Sequence, residues 1–239
     1  MEIQGKTVLV TGAAGGIGQA LVQAFLAAGA KEVIAAGRRA PMKAERVTPL
    51  VLDLADERSV AAAATACAAR VDILVNNAGV NSNSGALFPR DPATAAQEMD
   101  INYFGLLRML RAFAPEMKKR GGGAIVNMLT MLSHMNLPLM GSYCASKAAA
   151  LSLTQAARAE LAAAGVKVIA ILPSAVDTTM ATKAPPPKLS PEEVAQATLQ
   201  ALRDEAEEVY PGPVATEFMA ILRSDPKVLE KRLAQRLPH

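Results

Sequence analysis

Tryptophan is absent from this chain of 239 residues, and tyrosine and phenylalanine together make up only 3% of it. Hydrophobic residues nevertheless account for 51% of the sequence, which is ample for one large core. Because bulky aromatic side chains are scarce, we expect this core to consist mainly of Ala, Val, Leu, Ile and Met. The composition excludes a disordered protein.

Cysteine occurs only twice, at Cys67 and Cys144, in segments that we predict to be different helices. The sequence contains neither a Cys-x-x-Cys motif nor a cluster of cysteine and histidine. We therefore expect no disulfide framework and no metal site.

No charge of one sign dominates, since 25 Lys and Arg stand against 22 Asp and Glu. The basic residues are scattered, whereas a nucleic-acid-binding protein would carry a clustered basic face. No run approaches about 20 uninterrupted apolar residues, and the first residues lack the basic and apolar regions of a signal peptide. We expect no nucleic-acid partner, no membrane association and a cytoplasmic location.

Short runs rich in Val, Ile and Leu alternate with longer Ala-rich stretches of helical periodicity. This alternation predicts parallel strands joined by crossover helices. The runs lack a regular polar alternation, as expected for a parallel sheet that is covered on both faces. We therefore predict an α/β fold with a doubly wound, Rossmann-like parallel sheet. The predicted strands are KTVLVT, EVIAAG, VTPLVLDL, DILVNN, GAIVNML and VKVIAIL.

No linker divides the chain, so we predict a single dinucleotide-binding and catalytic domain over residues 1–222. We predict that residues 223–239 form a C-terminal tail, either as a short helix docked on a neighbour or another subunit, or as a frayed solvated segment. The sequence KAPPPK at 183–188 predicts a loop, because proline lacks the amide donor that a helix interior requires. The apolar residues that favour a helix in the tail are Val228, Leu229, Leu233 and Leu237.

The first predicted strand is followed by TGAAGGIG, which contains Gly12, Gly16 and Gly18 and leads into a helical run over 17–28. Glycine there permits a tight turn, close approach of a pyrophosphate to the backbone and close helix packing. The amino terminus of the helix offers free amides to an anion. A glycine-rich turn between the first strand and first helix of an α/β chain predicts a nucleotide site.

Two further strand ends carry polar groups that suit this site. Asp53 closes the third strand, where its carboxylate either accepts a hydrogen bond from an adenine amino group or caps a turn. The sequence NNAG at 76–79 closes the fourth strand. Its amide side chains either tie adjacent strand ends together or belong to an ordinary turn.

Tyr143 and Lys147 lie four residues apart at the start of a predicted helix and therefore share one face. A free phenol has a pKa near ~10, too high for a base at neutral pH. We expect a nearby ammonium group and an oxidised nicotinamide to stabilise the phenolate. In the reductive direction, Tyr143 would donate a proton to a carbonyl oxygen.

Taken in order, TGxxxGIG, NNAG and YxxxK resemble the short-chain dehydrogenase/reductase family over about residues 5–220. The resemblance implies a Rossmann-fold oxidoreductase with a nicotinamide cofactor. In that family a small residue followed by arginine after the second strand accommodates the 2′-phosphate of NADP, and here Gly37 precedes Arg38. The guanidinium binds phosphate oxygens well, so we expect NADP(H). The cofactor-binding residues implied are Gly12, Gly16, Ile17, Gly18, Arg38, Asp53, Leu54, Asn76, Ala78, Tyr143, Lys147, Pro173, Val176 and Thr178.

The resemblance also implies the catalytic set. Asn102 matches the family's asparagine that organises a water-mediated proton relay with the lysine. The family's substrate-binding serine precedes the tyrosine by thirteen residues, a position that Thr130 occupies here. We favour Thr130 over Ser133, which lies three residues later, and over Ser142. The predicted catalytic residues are Asn102, Thr130, Tyr143 and Lys147.

Methionines are concentrated near this site, and methionine packs adaptably into irregular apolar cavities. The residues that we expect to contact substrate, from the positions that line substrate in the family, are Asn81, Met131, Met135, Leu137, Met140 and Met180. An apolar ketone or alcohol fits these residues better than a charged sugar or a thioester.

The favoured function is a carbonyl reductase or alcohol dehydrogenase, and the family's habit of pairing two helices, here about 100–119 and 143–163, implies a homotetramer or homodimer. A non-catalytic nucleotide sensor on the same fold is the alternative, although such a protein would be expected to have lost Tyr143 or Lys147. A relative of the halohydrin dehalogenases is disfavoured, because those proteins typically replace the lysine by arginine and lack the glycine-rich motif.

Overall fold

A computed structural model describes residues 1–39, 44–89, 91–182 and 184–236. Within these ranges no helix is long and apolar enough to cross a membrane. The same ranges contain no group of three or more His, Cys, Asp or Glu side chains arranged to hold a metal ion.

Within the described residues, seven parallel strands form one sheet in the order β3-β2-β1-β4-β5-β6-β7. The strands are β1 (Thr7–Thr11), β2 (Glu32–Gly37), β3 (Val47–Val51), β4 (Ile73–Asn76), β5 (Gly123–Met128), β6 (Val166–Ile171) and β7 (Glu208–Val209). The helices are α1 (Gly16–Ala27), α2 (Glu57–Cys67), α3 (Thr94–Met99), α4 (Leu106–Arg120), α5 (Gly141–Ala162), α6 (Pro191–Asp204), α7 (Pro213–Ser224) and α8 (Pro226–Ala234). The predicted doubly wound α/β fold is confirmed.

Each strand contributes side chains to both faces of the sheet. In β1, Val8 and Val10 belong to the core cluster beside α1 and α6, whereas Leu9 belongs to the cluster beside α2, α4 and α5. This placement explains why the strands lack polar alternation. Both clusters are largely aliphatic, with Phe25 in one and Phe113 in the other among their largest fully buried side chains.

Successive strands are added toward one edge of the sheet from β1 to β3 and toward the other edge from β4 to β7, so the strand order reverses beside β1. Crossovers leave a crevice beyond the carboxyl ends of the strands at such a switch point, and ligands of open α/β sheets bind there. The turns after β1, β2, β3 and β4 therefore converge at one edge, beside the start of α5.

The C-terminal part differs from the prediction in detail. The two-residue strand β7 had no counterpart among the predicted strands, and the boundary set at residue 222 falls inside α7. Helix α8 packs on its own domain, with Leu229 and Leu233 buried and Val228 exposed. The Asp225 side chain caps it by accepting from the amides of Lys227 and Val228. Leu237, like Lys183 of the predicted proline-rich loop, lies outside the described residues.

Candidate active site

The glycine-rich turn brings the chain from β1 into α1 without room for side chains. Gly12 has φ +65°, a left-handed conformation that favours glycine. At Gly18 an added Cβ would lie 2.1 Å from the carbonyl oxygen of Gly12. Helix α1 therefore begins against the strand end, with its first amides directed at the crevice.

A cleft of about 340 Å³ opens beside this turn. It extends along the carboxyl ends of β1, β2, β3 and β4 to the first turns of α5. The structure brings together there most of the predicted cofactor-binding residues: Gly12, Gly16, Ile17, Gly18, Arg38, Asp53, Leu54, Ala78, Tyr143, Lys147 and Thr178. Lining residues that the sequence analysis missed include Thr11, Asn77, Val80 and Ile101.

The two asparagines of NNAG have different roles. Asn76 is buried below the cleft and donates from Nδ2 to Oδ1 of Asn127, its partner across β4 and β5. Asn77 lines the cleft and donates from Nδ2 to the carbonyl oxygens of Thr11 and Gly12. The amides thus tie β4 to both neighbours, but Asn77, rather than the predicted Asn76, faces the cleft.

The cleft carries opposite charges at its two outer strand ends. Arg38 follows β2, is exposed and, within the described residues, pairs with no carboxylate. Asp53 follows β3 and accepts the backbone amide of Ala55 with Oδ1 at 3.0 Å. Asp53 therefore forms a turn and lines the cleft at the same time.

Of the three cofactor-binding residues predicted in the segment after β6, one lines the cleft. Thr178 lines the cleft and contacts Gly16 at the start of α1. The side chain of Val176 is instead buried in the core, where the residue bridges Leu189. The carbonyl of Pro173 accepts the amide of Met131 at 3.0 Å and so holds the turn after β5.

Tyr143 and Lys147 lie on the first turns of α5, at the inner end of the cleft. The ammonium of Lys147 is buried, 6.0 Å from the Tyr143 ring centroid, and donates to the carbonyl oxygen of Met128 at 3.1 Å. Burial lowers the pKa of Lys147 to about 8. Burial, followed by Cys144 and Glu98, raises the pKa of Tyr143 well above its usual range.

The groups of the protein itself therefore favour the neutral phenol. Burial dominates this shift and acts against the stabilisation of the phenolate that we expect from Lys147 and the oxidised nicotinamide, which stays a prediction. A phenol that keeps its proton at neutral pH is suited to donate it to a carbonyl oxygen.

Asn102 lies in a π-helical turn, Asp100–Gly105, that joins α3 to α4. Its Oδ1 accepts the amide of Val80 and its Nδ2 donates to the carbonyl of Val80, both at 2.9 Å. Nδ2 also donates to Oγ of Ser146 on α5. Asn102 and Lys147 share the lining of a cavity of about 10 Å³, which is about large enough to hold one water molecule.

The three candidate hydroxyls have separate environments. Thr130 is buried, accepts the amide of Leu132 and donates to the carbonyl of Pro173, each at 3.3 Å. The Oγ of Ser133 is buried without a hydrogen-bond partner among the described residues. Ser142 donates to the carboxylate of Glu98 at 2.6 Å.

The predicted substrate residues gather around Tyr143, although only Met180 lines the nucleotide cleft itself. Asn81 lies in the loop after β4 and its Nδ2 is 3.4 Å from the sulfur of Met140. The other four form an apolar cluster with Tyr143, α7 and α8; they are Met131, Met135, Leu137 and Met140.

Residues 6–188 match the family model described as short chain dehydrogenase. The chain belongs to the short chain dehydrogenase family. It is therefore an oxidoreductase of that family, as the motif resemblance predicted. The family match ends before α6, so α7 and α8, which cover the apolar cluster around Tyr143 in this dehydrogenase, lie beyond it.

Solved and curated relatives agree with this assignment. A short chain dehydrogenase from Burkholderia cenocepacia J2315, crystallised in complex with NADP, is 44% identical with a TM-score of 0.93, over 98% of this chain and 99% of that one. Galactitol 2-dehydrogenase (L-tagatose-forming) from Cereibacter sphaeroides is 40% identical over 76% of each chain. D-threitol dehydrogenase from Mycolicibacterium smegmatis is 38% identical over 77% of this dehydrogenase and 75% of the relative.

Proposed function

We propose that this protein is an NADP(H)-dependent carbonyl reductase or alcohol dehydrogenase that acts on an apolar ketone or secondary alcohol. The observation that carries the proposal is the position of Tyr143 and Lys147 at the inner end of the nucleotide cleft. The nicotinamide, when bound, supplies or accepts the hydride. The glycine turn and the amino terminus of α1 would hold the pyrophosphate.

Tyr143 transfers the proton. Its raised pKa keeps the hydroxyl protonated, so in the reductive direction it donates to the carbonyl oxygen of the substrate. Lys147 is held beside it by the carbonyl of Met128, and Asn102 holds the loop at Val80 against α5. Thr130 is the hydroxyl that we assign to the substrate oxygen. Its two hydrogen bonds of 3.3 Å are long for their type, so substrate can compete for them.

Arg38 supports the choice of NADP(H). It lines the cleft where the adenosine ribose of a dinucleotide would lie, and no carboxylate within the described residues neutralises it. A guanidinium binds a 2′-phosphate through paired, charge-assisted hydrogen bonds. The similar Burkholderia dehydrogenase was crystallised with NADP.

The surroundings of Tyr143 support an apolar substrate. The two curated relatives are named for polyols, whereas methionine and leucine dominate the cluster around Tyr143 here. Burying a hydroxyl-rich chain among these side chains would leave its polar groups without partners.

We further propose that the enzyme is a homodimer or homotetramer that pairs α4 and α5 with those of another copy. Phe104, at the start of this helical pair, is 45% exposed, and the exposed positions of α5 include Ala145, Ala148 and Ser152. Small residues let helices approach closely. Light scattering at micromolar concentration should give a multiple of the 24.9 kDa chain mass, and a monomer would contradict this part of the proposal.

A panel of ketones, aldehydes, alcohols and polyols, followed by the absorbance of NADPH, tests the function. We expect turnover of apolar ketones in preference to sugars and polyols, with NADPH preferred over NADH. If no carbonyl compound or alcohol is converted while NADPH still binds, the protein is a nucleotide sensor and the proposed activity is wrong.

A further inference from the structure

We propose that Glu98 is a positioning residue for the substrate side of the site: its carboxylate joins the loop after β4 to the first turn of α5. This inference rests on the proposed function, because it assigns Glu98 the task of holding the substrate-contacting loop in register with Tyr143. Glu98 itself contacts neither the reacting atoms nor the nucleotide cleft.

The side chain of Glu98 is almost inaccessible to solvent, and each of its carboxylate oxygens accepts a hydrogen bond. The residue is 1% exposed, although it lies on the short helix α3 near the surface. Its Oε1 accepts the backbone amide of Ser82 at 2.8 Å, and its Oε2 accepts the hydroxyl of Ser142 at 2.6 Å. Burying a carboxylate is costly unless hydrogen bonds compensate, so this arrangement is a specific one.

The two groups that Glu98 joins are far apart in sequence and adjacent to functional residues. Ser82 follows Asn81, whose side chain reaches Met140. Ser142 precedes Tyr143 directly. Because Glu98 connects the loop to α5, its hydrogen bonds restrain the distance between Asn81 and Tyr143.

Asn102 holds the same loop in the same manner, four residues further along the chain. It binds both backbone groups of Val80 and also donates to Ser146 on α5. The loop is therefore attached at two successive points, Val80 and Ser82, and each attachment continues to α5. The Asn102 attachment lies beside Lys147, and the Glu98 attachment lies beside Tyr143.

Replacement of Glu98 tests this assignment, because a positioning residue should affect the KM for the ketone more than kcat. Glu98→Ala removes both hydrogen bonds, and we expect the KM for the ketone to rise about tenfold, the order of effect of losing hydrogen bonds to a charged group. The kcat should change by less than about twofold and the KM for NADPH should be unchanged, because the catalytic pair and the nucleotide turn keep their hydrogen bonds. Loss of the Glu98 charge, a lesser cause of the raised pKa of Tyr143 than burial, leaves the phenol protonated.

Two variants separate positioning from charge and from general stability. Glu98→Gln keeps an acceptor for the Ser82 amide and offers an amide donor to Ser142, so it should restore the ketone KM. Thr198→Val is the matched control, since Thr198 is equally buried and donates to Val194 in α6, remote from the site. It should lower thermal stability without raising the ketone KM.

Amide hydrogen exchange supplies a readout that does not need turnover. Exchange at Ser82 and its neighbours should become faster in Glu98→Ala and return to the parent rate in Glu98→Gln, with Thr198→Val unchanged there. If the parent protein converts no ketone, the proposed function fails, while exchange still decides whether Glu98 orders the loop. Unchanged exchange in Glu98→Ala, or equal losses in kcat and kcat/KM, would overturn the inference.

Discussion

The nucleotide side and the substrate side of the cleft are built in different ways. The nucleotide side consists of the ends of neighbouring strands, which glycine turns and amides such as that of Asn77 hold together. The proposed substrate side comprises the loop after β4, the turn after β5, the start of α5 and the helix pair α7 and α8. The first is determined by local sequence, whereas the second depends on segments more than 100 residues apart.

This difference has consequences for substitution. Changes on the nucleotide side should act on cofactor binding, because the residues there line the cleft at the strand ends. Changes on the substrate side should act on turnover or on the KM for the ketone, because side chains there supply both the proton and the apolar surface. The expectations below are ordered by the size of the effect.

Tyr143→Phe should have the largest effect, because it removes the proton donor and leaves the packing of α5 intact. We expect kcat to fall by about two to four orders of magnitude, the usual contribution of general acid catalysis. NADPH affinity, measured by fluorescence titration, should stay close to that of the parent. A variant with half the parent kcat would remove Tyr143 from the catalytic role.

Thr130→Val should be next, with kcat lower by about one to three orders of magnitude, as for the loss of one oxyanion-type donor. Thr130→Ser should retain activity, because it keeps the hydroxyl. Ser133→Ala is the matched control and should be nearly silent on turnover. The reverse result, with Ser133→Ala inactive and Thr130→Val active, would assign the role to Ser133, whose Oγ is the hydroxyl left unpartnered within the described residues.

Arg38→Ala should weaken the binding of NADPH without changing the substrate side. We expect the KM for NADPH to rise roughly tenfold or more, the scale of hydrogen bonds to a charged group, while the KM for NADH changes little. Steady-state kinetics with each cofactor checks this. Equal changes for both cofactors would mean that Arg38 does not contact the 2′-phosphate.

The dependence of kcat/KM on pH should show the loss of the proton from Lys147. Burial lowers the pKa of Lys147 from 10.5 to about 8, so the ammonium is present below that pH and is lost as the pH rises through it. Because we assign the Lys147 ammonium to the proton relay with Asn102 that resupplies Tyr143, the kcat/KM for ketone reduction should fall above about pH 8, approaching tenfold per pH unit. The raised pKa of Tyr143 adds no change in this range. A flat profile from pH 7 to 10 would exclude this account.

Leu233→Ala should have the smallest kinetic effect. Leu233 lies on the buried face of α8, in the apolar cluster that includes Tyr143 and Met131. Its truncation to alanine weakens the packing of this cluster. We expect a rise of a few-fold in the KM for the ketone and none in that for NADPH. Val228→Ala, on the exposed face of the same helix, is the control. Equal effects of the two variants on the KM for the ketone would mean that the buried face of α8 does not contribute to substrate binding.

The sequence predicted the nucleotide side better than the substrate side for a physical reason. A glycine turn specifies its own backbone conformation, so Gly12 and Gly18 could be assigned from spacing alone. Asn76 and Asn77 could not be distinguished, because which of two adjacent amides faces the cleft depends on the pairing of β4 with β1 and β5. The spacing also could not give the direction of the Val176 side chain, which the structure places in the core after β6.

The family, the parallel sheet, the glycine turn and the Tyr143–Lys147 pair could be predicted from the sequence, because their signals come from residues within single turns or strand-to-helix units. Three properties required the three-dimensional structure: the direction in which the pKa of Tyr143 shifts, the packing of α8 on the apolar cluster that contains Tyr143, and the attachment of the loop after β4 by Glu98 and Asn102. Those properties depend on burial and on contacts between distant segments, for which spacing along the chain carries no signal.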